Sequence, residues 1–251
     1  MQVIYIDKLS DFESYNDIDA SATIGFFDGV HKGHKKIFSK LEKEKGVKII
    51  VTFDYHPYKK CITTESEKIK ILKKFNVDYL YIIRKNETNL NLDKEDFIKF
   101  LVKNKIKKIV TGPDFRFGKN AKGDVENLKS FFAVDIVEFE MAGNIKISSS
   151  NIRKVIEESN FTELEKELGK KYEITGIVVH GKKIGRKIGF PTANLLTENH
   201  VPGSGVYYTI VSANGIRYKA ATNIGYKPTI DGEELTIESY RSTILGSTGS
   251  I

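Results

Sequence analysis

The stretch GFFDGVHKGH, Gly25 to His34, joins an apolar run, ATIGFF, to a charged stretch of helical spacing, KKIFSKLEKEK. A strand that ends in glycines and turns straight into a helix is the unit from which an open parallel sheet is built. In such sheets ligands bind beyond the carboxyl ends of the strands. Gly25, Gly29 and Gly33 let the backbone approach a ligand closely, and the free N–H groups and dipole of the new helix favour phosphate. His31 and His34 stand where they can donate to phosphate oxygens and stabilise charge developing in a nucleotidyl transfer. Two other uses stay open from these residues alone: the imidazoles cap and pack the helix, or the pair ligates zinc, for which no second ligand cluster is evident. A Walker loop is excluded, because GPDFRFGKN at 112–120 has one residue too many between its glycines and Asn120 after Lys119.

Outward from this point, up to about residue 145, the runs VKIIVTF, DYLYII, KKIVTG and AVDIVEF alternate with amphipathic segments. In KEDFIKFLVKN the spacing puts Phe97, Ile98, Leu101 and Val102 on one apolar face. The expectation is an α/β fold, a doubly wound and largely parallel sheet with helices on both faces. After about residue 172 the texture becomes β-branched and aromatic, with Asn214-Gly215 marking a hairpin, and reads as a smaller β-barrel or sandwich. Between them SSSNIRKVIEESNFTELEKELGKK reads as two short helices, the first capped by serine and the second ending near Gly169, which sets the domains at 1–158 and 159–251.

The chain has 251 residues, 40% hydrophobic and 29% charged. That is enough for two modest cores. One cysteine cannot form an internal disulfide, and MQVIYIDKLSDF lacks the features of a signal peptide, so a reducing, cytoplasmic setting is expected. No apolar run approaches the roughly 20 residues of a membrane span. The formal charge of +7 suits a phosphorylated partner, but the lysines are spread along helical faces, and no nucleic-acid partner is expected.

The motif HKGH within GFFDGVHKGH, followed in order by VTFDYHP (51–57), TGPDFRFGKNAKGD (111–124) and ISSSNIRKVI (147–156), resembles the adenylyltransferase domain of the bacterial bifunctional riboflavin kinase and FAD synthetase. The resemblance implies transfer of AMP from ATP to FMN, giving FAD and pyrophosphate with Mg²⁺. By position, His31, His34, Gly25, Phe26, Asp28, Gly29 and Gly33 would form the ATP site, with Ser148, Ser149, Ser150 and Arg153 binding phosphates from the other side. His56, Pro57, Asp114, Phe115, Arg116 and Phe117 would bind the flavin, although Tyr55 stands where the family commonly has proline.

GIVVHGKKIGRKIGFPTANLL, Gly176 to Leu196, resembles the riboflavin kinase domain of the same family, a compact β-barrel, and keeps its PTAN motif. The resemblance makes Thr192 and Asn194 ligands of Mg²⁺ and phosphate, lets Gly181, Gly185 and Gly189 fold a loop over the nucleotide, and makes Glu238 the base for riboflavin. Beyond Glu238 the family continues with an Asp-Phe pair, further strands and a helical segment, whereas this chain reads SYRSTILGSTGSI, so an incomplete barrel and a weak or absent kinase are expected. Two rival readings are a nucleotidyltransferase of the same fold with another phosphate-bearing acceptor, and a non-catalytic flavin- or RNA-binding regulator.

Overall fold

The computed structural model describes residues 1–10, 12–14, 17–54, 60–179, 192–229 and 232–244. Of the residues singled out above, His56, Pro57, Gly181, Gly185 and Gly189 lie outside the described residues. Two compact units divide the chain, the first holding residues 1–152 and 162–171 and the second 153–161 and 172–251.

The first unit contains strands β1 (Gln2–Ile6), β2 (Ala20–Ile24), β3 (Val47–Phe53), β4 (Tyr79–Ile83) and β5 (Ile106–Thr111), then the short β6 (Arg116–Phe117) and β7 (Gly123–Asp124), and β8 (Ala133–Ile136). A two-residue pair, β9 (Met141–Ala142) and β10 (Ile145–Lys146), follows. The helices are α1 (Lys32–Leu41), α2 (Glu65–Leu72), α3 (Glu87–Leu90), α4 (Lys94–Lys103) and α5 (Val125–Lys129), with α6 (Ser149–Glu157) and α7 (Phe161–Leu168) contributing to both units. Six strands pair in the order β1-β4-β3-β2-β5-β8, every neighbour parallel. Strand β2 is buried along its whole length, as expected of a central parallel strand covered on both faces.

Two apolar layers cover this sheet. On one side Phe38 and Leu41 of α1 and Leu72 of α2 pack against Ile50, Leu80, Ile82 and Val110. On the other, Phe97, Phe100 and Leu101 of α4 and Leu128 of α5 pack against Ile24, Ile49, Val51 and Tyr81. The buried face of α4 differs by one position from the sequence expectation: Phe100 is buried, while Val102 is 52% exposed. At about 100° per residue, Val102 lies about 140° from Phe97 and Phe100 only about 60° from it, so the face closes on the phenylalanine.

In the second unit β11 (Ile177–Val179), β12 (Thr192–Leu196), β13 (Gly205–Ala213), β14 (Ile216–Thr229) and β15 (Gly232–Ile244) form one antiparallel sheet in the order β11-β12-β15-β14-β13. The β13–β14 hairpin turns at Asn214 and Gly215, both at positive φ, 51° and 77°. A two-residue turn of the primed type requires this. One face buries Ala220, Thr222, Ile224 and Ile237, and on it the hydroxyls of Thr209, Thr222 and Ser239 form a chain with spacings of 2.7 and 2.8 Å.

Leu101 has no exposed surface. Leu101→Ala is expected to lower stability by about 2–5 kcal/mol, read from the shift of a urea unfolding curve.

Candidate active site

Because strand order runs β2-β3-β4 to one side of β2 and β5-β8 to the other, the connections leaving β2 and β5 diverge, and the sheet's crevice opens between their carboxyl ends. GFFDGVHKGH leaves β2 and TGPDFRFG leaves β5. Both line a single cavity of about 590 Å³, together with Lys146, Ser148 and Ser149.

The loop after β2 is held in a strained form. Phe27 and Val30 both lie in the left-handed region, at φ 49° and 42°, alongside Gly29 at 83°. Such conformations persist only where the surroundings over-determine them. Bonds to the segment leading into α2 do so here: Asp28 Oδ1 accepts the Ile62 and Thr63 amides at 2.9 and 3.1 Å, and the Gly29 amide donates to Thr63 Oγ1 at 3.0 Å. Asp28, only 2% exposed, lines the cavity while that oxygen braces the loop. A capping box between Thr64 and Glu67 fixes the start of α2.

His31 is the N-cap of α1, its Nδ1 accepting from the His34 amide at 3.3 Å. With Nδ1 used as acceptor, neutral His31 carries its proton on Nε2 and is a donor there. The two imidazoles stack with centroids 3.6 Å apart, and Phe27 meets His34 edge-on at 5.3 Å. Burial, reinforced by the Lys146 and Lys35 ammonium groups, lowers the His31 pKa from 6.5 to about 4. His34 is pushed well below its usual value, chiefly by burial, then by His31 and Lys68. Gly33 closes tightly on the imidazole: a Cβ there would lie 3.1 Å from His31 Cε1, so the ring would have to shift by a few tenths of an ångström.

Opposite these groups, Ser148 caps α6 by accepting the Asn151 amide at 3.3 Å, and Ser149 Oγ donates to the Asp28 carbonyl at 2.9 Å. Ser150 is exposed and Arg153 buried, one turn further along α6; neither lines the cavity. Asp114, Phe115, Arg116 and Phe117 all line it. Phe115 and Phe117 stack at 5.9 Å, and Phe117 is also part of the core against Phe97, so it serves packing and cavity wall together. Arg116 pairs with Asp124 at 3.2 Å.

Sequence reasoning did not single out Lys146 or Phe53. Lys146 pairs with Asp114 and places its ammonium 3.6 Å from the Phe139 ring centroid, while Phe53 tilts against Phe26 at 4.8 Å. Lys146 sits two residues before the serine run, and that proximity is its one sequence signal.

In the second unit Asn194 is directly opposite Glu238 across the β12–β15 pair, and Glu238 is opposite Asn223 on β14. Thr192, two residues from Asn194, shares its face. The Glu238 carboxylate pairs with Lys227. A glutamate that looks in sequence like any alternating strand residue is thus brought beside the asparagine of PTAN. Among the described residues, no three His, Cys, Asp or Glu side chains gather to hold a metal ion.

A family model described as FAD synthetase matches residues 13–154, and one described as riboflavin kinase matches residues 168–247. A curated relative from Listeria monocytogenes named bifunctional riboflavin kinase/FMN adenylyltransferase is 34% identical, with 96% of this chain and 83% of the relative covered. Its namesake from Bacillus subtilis is 36% identical, with 82% and 72% covered. A crystal structure from Streptococcus pneumoniae, described as a macrolide-efflux protein, matches with a TM-score of 0.81 and 31% identity over 99% of this chain and 86% of that one. Among the described residues no helix is long and apolar enough to cross a membrane.

The buried neutral histidines tie stability to pH. Between about pH 6.5 and pH 4 the unfolded chain binds a proton at His31 that the folded protein excludes, so this contribution is complete above 6.5 and is lost as pH falls. For His31 it is on the order of 3 kcal/mol. Urea midpoints at pH 7 and pH 4.5 are expected to differ markedly for the native protein and much less for a His31→Gln/His34→Gln variant.

Proposed function

The chain belongs to the family of bifunctional riboflavin kinases/FMN adenylyltransferases, and on that premise we propose that the cavity between β2 and β5 is where AMP passes from ATP to FMN. A phosphate oxygen of FMN attacks the α-phosphorus of ATP, the new P–O–P bond forms, and the bond to the bridging oxygen of the β-phosphate breaks, releasing pyrophosphate. The observation that carries this reading is the convergence of the His31–His34 pair at a helix start with the Phe115–Phe117 wall on one cavity.

This chemistry asks for positioned donors and little covalent participation. Neutral His31 presents its Nε2 proton, the start of α1 adds backbone N–H groups, and Ser148, Ser149 and Lys146 supply further donors from the other wall. Neutral imidazoles suit the role, since their donors are aimed without the hydration shell that a charged ring would retain. Ser150 and Arg153, which do not line the cavity, are given phosphate-binding roles by family position alone, and Asp114, Phe115, Arg116 and Phe117 receive the flavin, joined by His56 and Pro57.

In the second unit the same premise makes riboflavin and a second ATP the substrates. Glu238 takes the proton from the riboflavin 5′-hydroxyl as that oxygen attacks the γ-phosphorus of ATP. Thr192 and Asn194 offer hard oxygen donors on one face, which fit Mg²⁺. The ion, when bound, neutralises phosphate charge. Gly181 and Gly185 are carried over as nucleotide-binding residues by family position alone. The matched ranges support assigning residues 1–158 to adenylyl transfer and 159–251 to the kinase. A single cysteine, Cys61, which cannot form an internal disulfide, supports a cytoplasmic setting.

A chromatographic flavin assay with Mg-ATP tests both halves. FAD is expected from FMN, and His31→Ala or His34→Ala is expected to slow its formation by about 10²–10³-fold. Gly33→Ala, which displaces the His31 ring, is expected to have a smaller effect in the same direction. With riboflavin as substrate, whatever FMN the native chain forms is expected to fall by about 10²–10⁴-fold in Glu238→Gln. FAD formation from added FMN should stay unchanged in that variant; a parallel loss there would count against separate sites.

A further inference from the structure

Lys68 is an anomaly among the described lysines. It lies inside α2 and is only 6% exposed. Most lysines of basic helical stretches keep their ammonium groups in water. All three of its N–H bonds have acceptors: the Phe26 carbonyl at 2.7 Å, Thr52 Oγ1 at 3.2 Å and the Phe53 carbonyl at 3.4 Å. Thr52 Oγ1 itself donates to the Phe26 carbonyl at 3.3 Å. Phe26 follows β2, and Thr52 and Phe53 end β3, so one ammonium bonds the carboxyl ends of two adjacent parallel strands.

We propose that Lys68 is a positioning residue for adenylyl transfer, its buried ammonium fixing the two strand ends that carry the imidazole pair and the Phe26–Phe53 wall. The proposal rests on the adenylyl-transfer reading of the cavity and extends it to a residue that does not line it.

Three physical arguments support it. The Phe26 carbonyl belongs to the peptide that leads into Phe27, the first left-handed residue of the loop, and a strained conformation persists only where its surroundings over-determine it. Because a trans peptide is planar with its C=O and N–H opposed, anchoring that carbonyl toward α2 also fixes the Phe27 N–H to the opposite side. Next, Lys68 completes a set of bonds from one element: the segment opening α2 already holds Asp28 and Gly29 through Ile62 and Thr63. Finally, taking an ammonium out of water carries a desolvation cost that hydrogen bonds to neutral oxygens offset only in part. Fold stability alone therefore gives little reason for an ammonium here, whereas orientation of three oxygens at the site does. The same charge acts on neighbouring His34, disfavouring its protonated form.

The test compares Lys68→Met, Lys68→Gln and Lys68→Arg with the native full chain, by FAD formation from FMN and Mg-ATP and by hydrogen exchange of the amides of residues 25–34. Removing the staple should lower kcat by about 10–100-fold with KM for ATP little changed, since misplacement on the ångström scale costs that much. The same variant should speed exchange in 25–34 by about tenfold or more while leaving β5 protected. Arginine, which restores charge and donors, should recover most of both. Should the methionine variant not fold, the glutamine variant carries the same two readouts. Unchanged exchange in 25–34 overturns the staple whatever the activity, and faster exchange with native kcat overturns its role in the reaction. A native chain that makes no FAD overturns the adenylyl-transfer reading instead, and exchange then still decides the staple.

Discussion

The site depends on a central strand whose two neighbours lead away from it in opposite directions. β2 is buried on both faces and hydrogen-bonded on both edges, to β3 and to β5, so its path is fixed by two backbone ladders and two apolar layers. With its frame so rigid, the chain beyond Ile24 can hold conformations that a loop on a less constrained strand would relax. The reversal of strand order at β2 and β5 leaves a space that neither connection covers, and the His31–His34 pair and the Phe115–Phe117 wall gather around it.

Around that space several groups are held in states that water would not favour. Two imidazoles are buried and neutral, a lysine is buried and charged, and two non-glycine residues of the loop lie in the left-handed region. Each costs stability in isolation, and local partners offset that cost for three of them: the α1 amide for His31, three oxygens for Lys68, and the Ile62 and Thr63 amides for the carboxylate beside the strained turn. Clustering of perturbed groups in a cleft is a physical signature of a reaction site.

The second unit reaches a similar end by other means. Its sheet is antiparallel, and register rather than topology assembles the groups. The Asn214-Gly215 turn fixes β13 against β14, the β14–β15 ladder then sets which residue faces Asn223, and β12 adds Asn194 beside Glu238. A one-residue slip of β15 would turn Glu238 to the face that buries Ile237.

By itself the sequence determined many of the elements and their kinds, because hydrophobic period and turn chemistry are local: five of the six parallel strands, all but β1, the amphipathic helices α1 and α4, the Asn-Gly hairpin and the serine cap of α6 were legible in it. It also located His31, His34, Ser148 and Ser149, since they stand in motifs at helix starts. Only the tertiary structure decided which face of α4 closes, burying Phe100 and leaving Val102 in water, because that depends on the sheet it meets. It alone made Asp28 a brace, set Lys146 against Asp114, put Asn194 beside Glu238 and withdrew Lys68 from solvent into a nest of oxygens. These contacts join residues tens of positions apart in the chain, and no local pattern distinguishes Lys68 in ESEKIKIL from a lysine on a solvated face.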